Sequence, residues 1–338
     1  MEQTPTFAQI GRVEAIRRLF EGSGFTPFTE PLWSKAADGD CPTTASAVLL
    51  EGIDFNLEYF PLKHLGYKAV VQATGELLAV LAKPRTLEIR IGVSSKLDFE
   101  QVAELWSGVL AAAGEFGYTS LALDLQPSRI GLAVTAAAGG IASSAMCASR
   151  PAAASKDLIC VSGSLGAAYL GQQLLEREKS HLSEGEESHK TLEKYKMLVA
   201  ACLKPEIPAN VIGAFEESGI CPSTGYFVNR GLSDAVLRLC RDNGLGAKIY
   251  ADKIPFEGNS FALGKELDVD PVSAAMNGGD DCRLMFTVPI LQLEKFRRDF
   301  QAFDILGHLA QPSVGSVLVT PDGVELSIRA QGWTFDES

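Results

Sequence analysis

Apolar residues recur at Val102, Leu105, Trp106, Val109 and Leu110, a spacing that puts them on one stripe of a helix facing a core. Asp98, with Gln101 three residues on, has the form of a capping box and marks where that helix starts. The stretch from Leu65 to Leu81 carries a second helical pattern. LEIRIGV, Leu87 to Val93, instead alternates with a period of two, as a strand does when one face is exposed. LALD at Leu121 to Asp124 and IGLAVTAAA from Ile130 read as two further strands, so strands and helices interleave.

From Ser149 to Lys156 the chain becomes SRPAAASK, small residues around a proline, and a domain boundary is expected there: residues 1–150 and 151–338. The second part opens as a strand, LICV, a glycine turn, SGSLG, and a helix, AAYLGQQLLE. Glu176 to Lys194 is a polar tract, expected as a solvated helix end and loop. FVNRGLS, Phe227 to Ser233, stands between a strand and a helix. Ser233 is placed as N-cap and Asp234 in the first turn, and an apolar stripe of Val236, Leu237, Leu239 and Cys240 ends near Gly244. SVLVT, the turn Pro321-Asp322-Gly323 and VELSIRAQGW predict a hairpin at the end of the chain.

Composition narrows the functional classes. The 338 residues are 46% hydrophobic and 21% charged, ordinary values for a folded chain of about two domains. Thirty basic against 42 acidic residues give a formal charge of −12, with no basic block, which argues against a nucleic-acid or anionic-membrane partner. Seven cysteines lie far apart with no C-x-x-C pair and read as buried thiols of a reducing compartment. The first residues have no long apolar core and no segment has the length of a membrane span, so a cytoplasmic location is expected.

Three turns could carry chemistry. SGSLG, Ser162 to Gly166, lacks the lysine of a Walker loop and reads as a tight turn, with a phosphate cradle as the alternative. In NGGDD, Asn277 to Asp281, two glycines let a ligand approach the backbone, and two adjacent carboxylates are costly unless they face a cation or solvent. Arg230 in FVNRGLS is either a phosphate contact beside a helix N-terminus or a solvated loop residue. His64 and the other three histidines lie in no metal-ligand spacing.

Three stretches resemble the thiamine-monophosphate kinases, relatives of aminoimidazole ribonucleotide synthetase: LLEGIDFNLEYFPLKHLGYKAV from Leu49, DLICVSGSLGAAYLGQQLLERE from Asp157 and MNGGDDCRLMFTVP from Met276. LKPE from Leu203, GLSDAVLRLC from Gly231 and QGW from Gln331 extend the similarity along the chain. The resemblance implies a two-domain α+β architecture of mixed sheets with helices, whose N-terminal domain forms a homodimer. In such proteins ATP lies in a cleft near that interface, and magnesium ions held by aspartates bring its γ-phosphate to thiamine monophosphate, giving thiamine diphosphate. The hydrogenase-maturation and selenophosphate-synthesis relatives would need a reactive cysteine or selenocysteine motif that this chain lacks.

The chain departs from that family at its acids. Trp33-Ser34-Lys35-Ala36-Ala37 stands where relatives have G-D-D-A-A, Ala45-Ser46-Ala47 where they have T-T-D, and Val228-Asn229-Arg230-Gly231-Leu232 where they have I-S-D-G-L. Glu76 replaces the acid of N-L-S-D, Asp124 keeps that of G-G-D-T-T, and Asp54 takes the place of a histidine. Two acids thus face two cations, Lys35 and Arg230, and such a set selects magnesium poorly. The resemblance implies Glu76 and Asp124 as the remaining metal ligands, and Lys35, Glu76, Asp124 and Arg230 around nucleotide or phosphate. It places Asn277, Gly278, Gly279, Asp280, Asp281 and Trp333 on the substrate side, Trp333 either stacking on a ligand or packing under the last strand. A kinase weakened or silenced by its lost ligands is expected, or a non-catalytic paralogue that binds a nucleotide, a thiamine phosphate or a partner chain; no catalytic residue is assigned.

Overall fold

The computed structural model describes Arg18, residues 40–179 and residues 186–330. Ser34, Lys35 and Trp333 lie outside the described residues.

The first part comprises β1 (Cys41–Leu50), α1 (Leu62–Ala79), β2 (Lys83–Ser94), α2 (Phe99–Glu115), β3 (Ser120–Ser128), β4 (Ala133–Ala142) and α3 (Ser144–Ser149). Its four strands form one sheet in the order β1-β4-β2-β3. β2 and β3 run parallel, joined across α2, and the other pairs are antiparallel. The second part comprises β5 (Leu158–Ser162), α4 (Ala167–Glu178), α5 (Glu186–Lys194), α6 (Lys196–Leu203), α7 (Val211–Ser218), β6 (Thr224–Val228), α8 (Leu232–Asn243) and β7 (Gly246–Tyr250). It continues with α9 (Ser260–Leu267), α10 (Pro271–Asn277), β8 (Arg283–Val288), α11 (Leu293–Asp299), β9 (Phe303–Ala310), β10 (Ser316–Val319) and β11 (Glu325–Ser327). These seven strands form a mixed sheet in the order β11-β10-β7-β9-β5-β8-β6.

The central strands of the larger sheet are buried on both faces, which is why LICVS and RLMFTV are nearly unbroken apolar runs rather than alternating ones. Ile159, Val161, Tyr226, Val228 and Met285 point to a core shared with α8 and α10. Leu158, Cys160, Phe227, Leu284, Phe286 and Val288 point the other way, into a larger core with α1, α7, α11 and the four-stranded sheet. α1 therefore lies between the two sheets, and fifteen of its eighteen residues are buried. A helix buried around its whole circumference cannot be amphipathic, and LKHLGYKAVVQATGELLA has no polar stripe.

The capping box is present: the Asp98 carboxylate accepts from the Gln101 N–H at 2.9 Å, and the Gln101 side chain accepts from the Asp98 N–H at 3.0 Å. The helix over Leu65 to Leu81, the strands over Leu87 to Val93 and Leu121 to Asp124, and the closing hairpin also form, with shifted ends. One strand was not foreseen, and two expectations need correction. β1, whose CPTTASAVLL is rich in small residues, is a strand that its weak pattern did not announce. The polar tract includes α5 rather than only a helix end and loop. Ser233 is not the N-cap of α8, because the helix starts at Leu232 and Gly231 caps it with a φ of 83°. A Cβ at Gly231 would lie 2.5 Å from the Met276 carbonyl oxygen, so the turn has room only for glycine, and Ser233 is buried one step inside the helix.

Close packing of α1 on the larger sheet also depends on a residue without a side chain. A Cβ at Gly75 would lie 2.2 Å from the buried ring of Phe227. Gly75→Ala is therefore expected to destabilise the protein by about 1–3 kcal/mol through overpacking, although alanine has the better helix propensity. Chemical denaturation checks this. Phe227→Leu in the same chain should recover part of the loss, and equal stability of Gly75→Ala and the parent would contradict the packing argument.

Candidate functional site

Where α1 and β1 meet the turns of the larger sheet, a cleft of about 350 Å³ opens. Ser46, Ala47, Asp54, Gln72 and Glu76 line it from the first part of the chain. From the second part it is lined by Gln172, Asn229, Arg230, Asp234, Arg238 and residues 277–280. Convergent polar groups in a concavity where two layers meet are the usual form of a small-molecule site.

Asp280 is the most constrained of these groups. Its backbone is left-handed, with a φ of 63°, and its N–H donates to the Asn229 carbonyl at 2.7 Å. That conformation is uncommon for a residue with a side chain. Its carboxylate accepts from Lys68 Nζ at 2.9 Å and from Gln72 Nε2 at 3.0 Å. The Lys68 side chain is 0% exposed and that of Asp280 22% exposed. Burial pulls the lysine down, but the charge and hydrogen bond of Asp280 outweigh it, and the ammonium titrates above the ordinary lysine value.

Asp54 stands beside this pair at the end of a tight turn, where its Oδ2 accepts from the Leu50 N–H at 2.7 Å. Burial raises its carboxyl above the ordinary value; the Leu50 N–H opposes this, neighbouring Asp280 adds to it, and Lys68 and Arg230 pull it back. Across the cleft, Asp234 and Arg238 form an ion pair at 2.8 Å one turn apart on α8, with side chains 4% and 3% exposed. Arg238 Nη2 also donates to the Phe227 carbonyl at 2.9 Å, which ties the helix to the end of β6.

Asp281, the next residue, faces away into the protein. Its oxygens accept from the Gly166 N–H at 2.7 Å and the Ala168 N–H at 3.1 Å, so it caps the start of α4. The Leu165 N–H meanwhile donates to the Pro255 carbonyl at 2.9 Å. The Leu165 and Gly166 donors of the SGSLG turn are thus engaged within the protein, which supports reading it as a tight turn. Burial pushes the Asp281 carboxyl up to about 6 against the pull of its two N–H donors.

Of the residues singled out from sequence, Glu76, Arg230, Asn277, Gly278, Gly279 and Asp280 share the cleft. Asp281 lies beneath it. Asp124 is exposed on the edge strand β3 opposite Arg90 of β2, outside the cleft lining. Lys68, Gln72, Gln172 and the Asp234–Arg238 pair were missed. The Asp-x-x-x-Arg spacing on a helix was a readable signal for the last, whereas Lys68 sits in an apolar helix and no local pattern names its partner 212 residues away. Among the described residues, no three His, Cys, Asp or Glu side chains converge on a point where they could hold a metal ion. Glu76 lines the cleft and Asp124 does not, and Asp280 is already matched to an ammonium, so the described residues of one chain do not by themselves assemble the several anionic oxygens of a magnesium cluster.

The four-stranded and seven-stranded sheets with their helices make an α+β fold of the aminoimidazole ribonucleotide synthetase-like kind. No protein-family model matches the chain. It is similar to the thiamine-monophosphate kinase of Aquifex aeolicus, 23% identical over 243 residues that cover 72% of this chain and 74% of the relative. The solved structure of thiamine monophosphate kinase from Aquifex aeolicus superimposes with a TM-score of 0.73 at 19% identity, over 96% of this chain and all of that one. AaThiL complexed with AMPPCP and TMP gives a TM-score of 0.71 at 18% identity, over 96% and 97% of the two chains. These similarities bear out the resemblance to the thiamine-monophosphate kinases. Among the described residues no helix is long and apolar enough to cross a membrane.

Two outcomes follow from the geometry. Lys68→Met should cost about 2–3 kcal/mol by leaving Asp280 without its cation, and adding Asp280→Asn should recover most of that loss. Denaturation of both variants measures the coupling, and simple additivity would show that the pair is not coupled. Asp281 holds its proton more tightly folded, near 6, than at the ordinary 3.8, so its contribution to stability is lost as pH rises through that window. Asp281→Asn, which cannot ionise, should flatten the melting-temperature profile there; an unchanged profile would show that Asp281 keeps an ordinary acidity.

Proposed function

We propose that this chain binds a phosphate-bearing ligand of the kind its relatives handle, a nucleoside triphosphate or thiamine monophosphate, in the cleft beside α1, and that it transfers a phosphoryl group weakly or not at all. The observation that carries this reading is the pairing of charge in the cleft. Asp280 is bonded to Lys68, Asp234 to Arg238, and Asp54 lies within the influence of Lys68 and Arg230. Phosphoryl transfer leaves little covalent work to a protein and depends on bridging cations that neutralise the moving group. Carboxylates already matched to side-chain cations are poor ligands for such metals.

In this reading Arg230, with Lys35, offers cationic contacts to phosphate, since a guanidinium meets phosphate oxygens bidentately and an ammonium adds a point charge. Asn277, Gly278, Gly279 and Asp280 form the substrate wall, Trp333 belongs to the same side, and Asp281 supports the wall from behind. In this reading Glu76 and Asp124 are the acids left for a metal ion, Glu76 in the cleft and Asp124 outside its lining in one chain. The protein acts as a cytoplasmic homodimer of two domains, 1–150 and 151–338, paired through the four-stranded sheet. The exposed edge strand β3 and the exposed Val48 and Leu125 support that pairing, because an open edge and bare aliphatic groups are usually covered.

A coupled assay with ATP, magnesium and thiamine monophosphate is expected to give turnover at least about a hundredfold below that of an active relative. Nucleotide affinity should change by less than about tenfold, 1.4 kcal/mol, when EDTA removes magnesium, and Arg230→Glu should weaken it about tenfold. Robust turnover would overturn the proposal and make the chain a working thiamine-monophosphate kinase with ligands drawn from other residues. Light scattering should return twice the chain mass; the monomer mass would remove the dimer.

A further inference from the structure

The face of the seven-stranded sheet that α11 covers runs on, past that helix, over β9 and β7. There a second pocket, of about 480 Å³, shares no lining residue with the cleft. Leu158 and Ile305 form its apolar floor and Ile290 its rim, while the rings of Tyr250 and His308 lie together with centroids 5.9 Å apart and planes 34° apart. Three cations border it: Lys156, Lys253 and Arg297. Lys253 has Asp252 at 3.2 Å, but no carboxylate lies within salt-bridge distance of Lys156 or Arg297 among the described residues.

Two unmatched cations at the rim of an apolar pocket make a site of positive potential, and the low-dielectric floor strengthens their field. Burial and the neighbouring Lys248 both hold the His308 ring below its ordinary value, so it is neutral near pH 7 and offers a π face beside that of Tyr250.

We propose that this pocket is a binding site for a small aromatic anion, a flat ring carrying a phosphate or carboxylate, with the ring stacked on Tyr250 and His308 and the anionic group held by Arg297 and Lys156. Both features are needed. An anion alone would leave the aromatic pair and the aliphatic floor unfilled, and a neutral ring would leave the two cations without a counter-charge. The pocket has room for a mononucleotide or a pyridine carboxylate. The proposal is independent of what occupies the cleft.

The test follows the ring-proton signals of His308 in the whole protein while AMP, nicotinate, adenosine or inorganic phosphate is added. AMP and nicotinate distinguish a phosphate from a carboxylate head. One of them should shift the signals saturably, and adenosine and phosphate should bind at least about tenfold more weakly. Arg297→Glu and Tyr250→Leu, each at an accessible side chain and checked by an unchanged melting temperature, should weaken binding about tenfold. Lys156→Glu serves if either variant melts early. Arg230→Glu, in the cleft, should leave the His308 response unaltered. Signals unmoved by either aromatic anion at millimolar concentration overturn the proposal, as does a response lost with Arg230→Glu or indifferent to Arg297→Glu.

Discussion

A lysine buried inside a helix that water cannot reach must find a carboxylate, and the pair of Lys68 with Asp280 is the constraint around which this protein is organised. An unpaired ammonium in that position would cost several kcal/mol of desolvation. Its partner comes from the far part of the chain, so α1 and the turn after α10 are bound to one another. To deliver the carboxylate, Asp280 takes a left-handed backbone stabilised by the Asn229 carbonyl, and the following Asp281 turns inward to cap α4. Two adjacent acids thus fasten two helices, and the cleft is the space left between the elements they hold.

Shape and charge in the cleft have different origins. Its shape rests on buried aliphatic and aromatic groups and on close approaches such as that of Gly75 to Phe227, which follow from the fold shared with the thiamine-monophosphate kinases. Its charge rests on a handful of side chains, among them the buried Lys68, Asp234 and Arg238. A cleft of one outline can therefore hold different sets of charges, and here Asp280 and Asp234 are matched to Lys68 and Arg238. The pocket over β7 and β9 makes a similar point from the opposite direction, since it combines an apolar floor with unmatched cations in a chain of net charge −12.

Much of the architecture was legible along the chain. The capping box of Asp98 and Gln101, the alternation of LEIRIGV and the turn Pro321-Asp322-Gly323 are local devices, each determined by the residues that form it, and each appears where it was expected. β1 escaped notice because small residues carry little periodic signal, and Ser233 was misplaced because the Met276 carbonyl, distant in sequence, leaves room only for glycine at the cap.

For the site, sequence alone determined which residue types were available: a glycine-rich turn with two acids, and an arginine between a strand and a helix. Only the tertiary structure decided their roles. It set Asp280 on Lys68, turned Asp281 to the N–H groups of α4, paired Asp234 with Arg238 and left Asp124 on an open strand edge. The physical reason is that a side chain's charge belongs to the residue, whereas its partner, its burial and hence its chemistry are set by elements from distant parts of the chain that meet only in the folded protein.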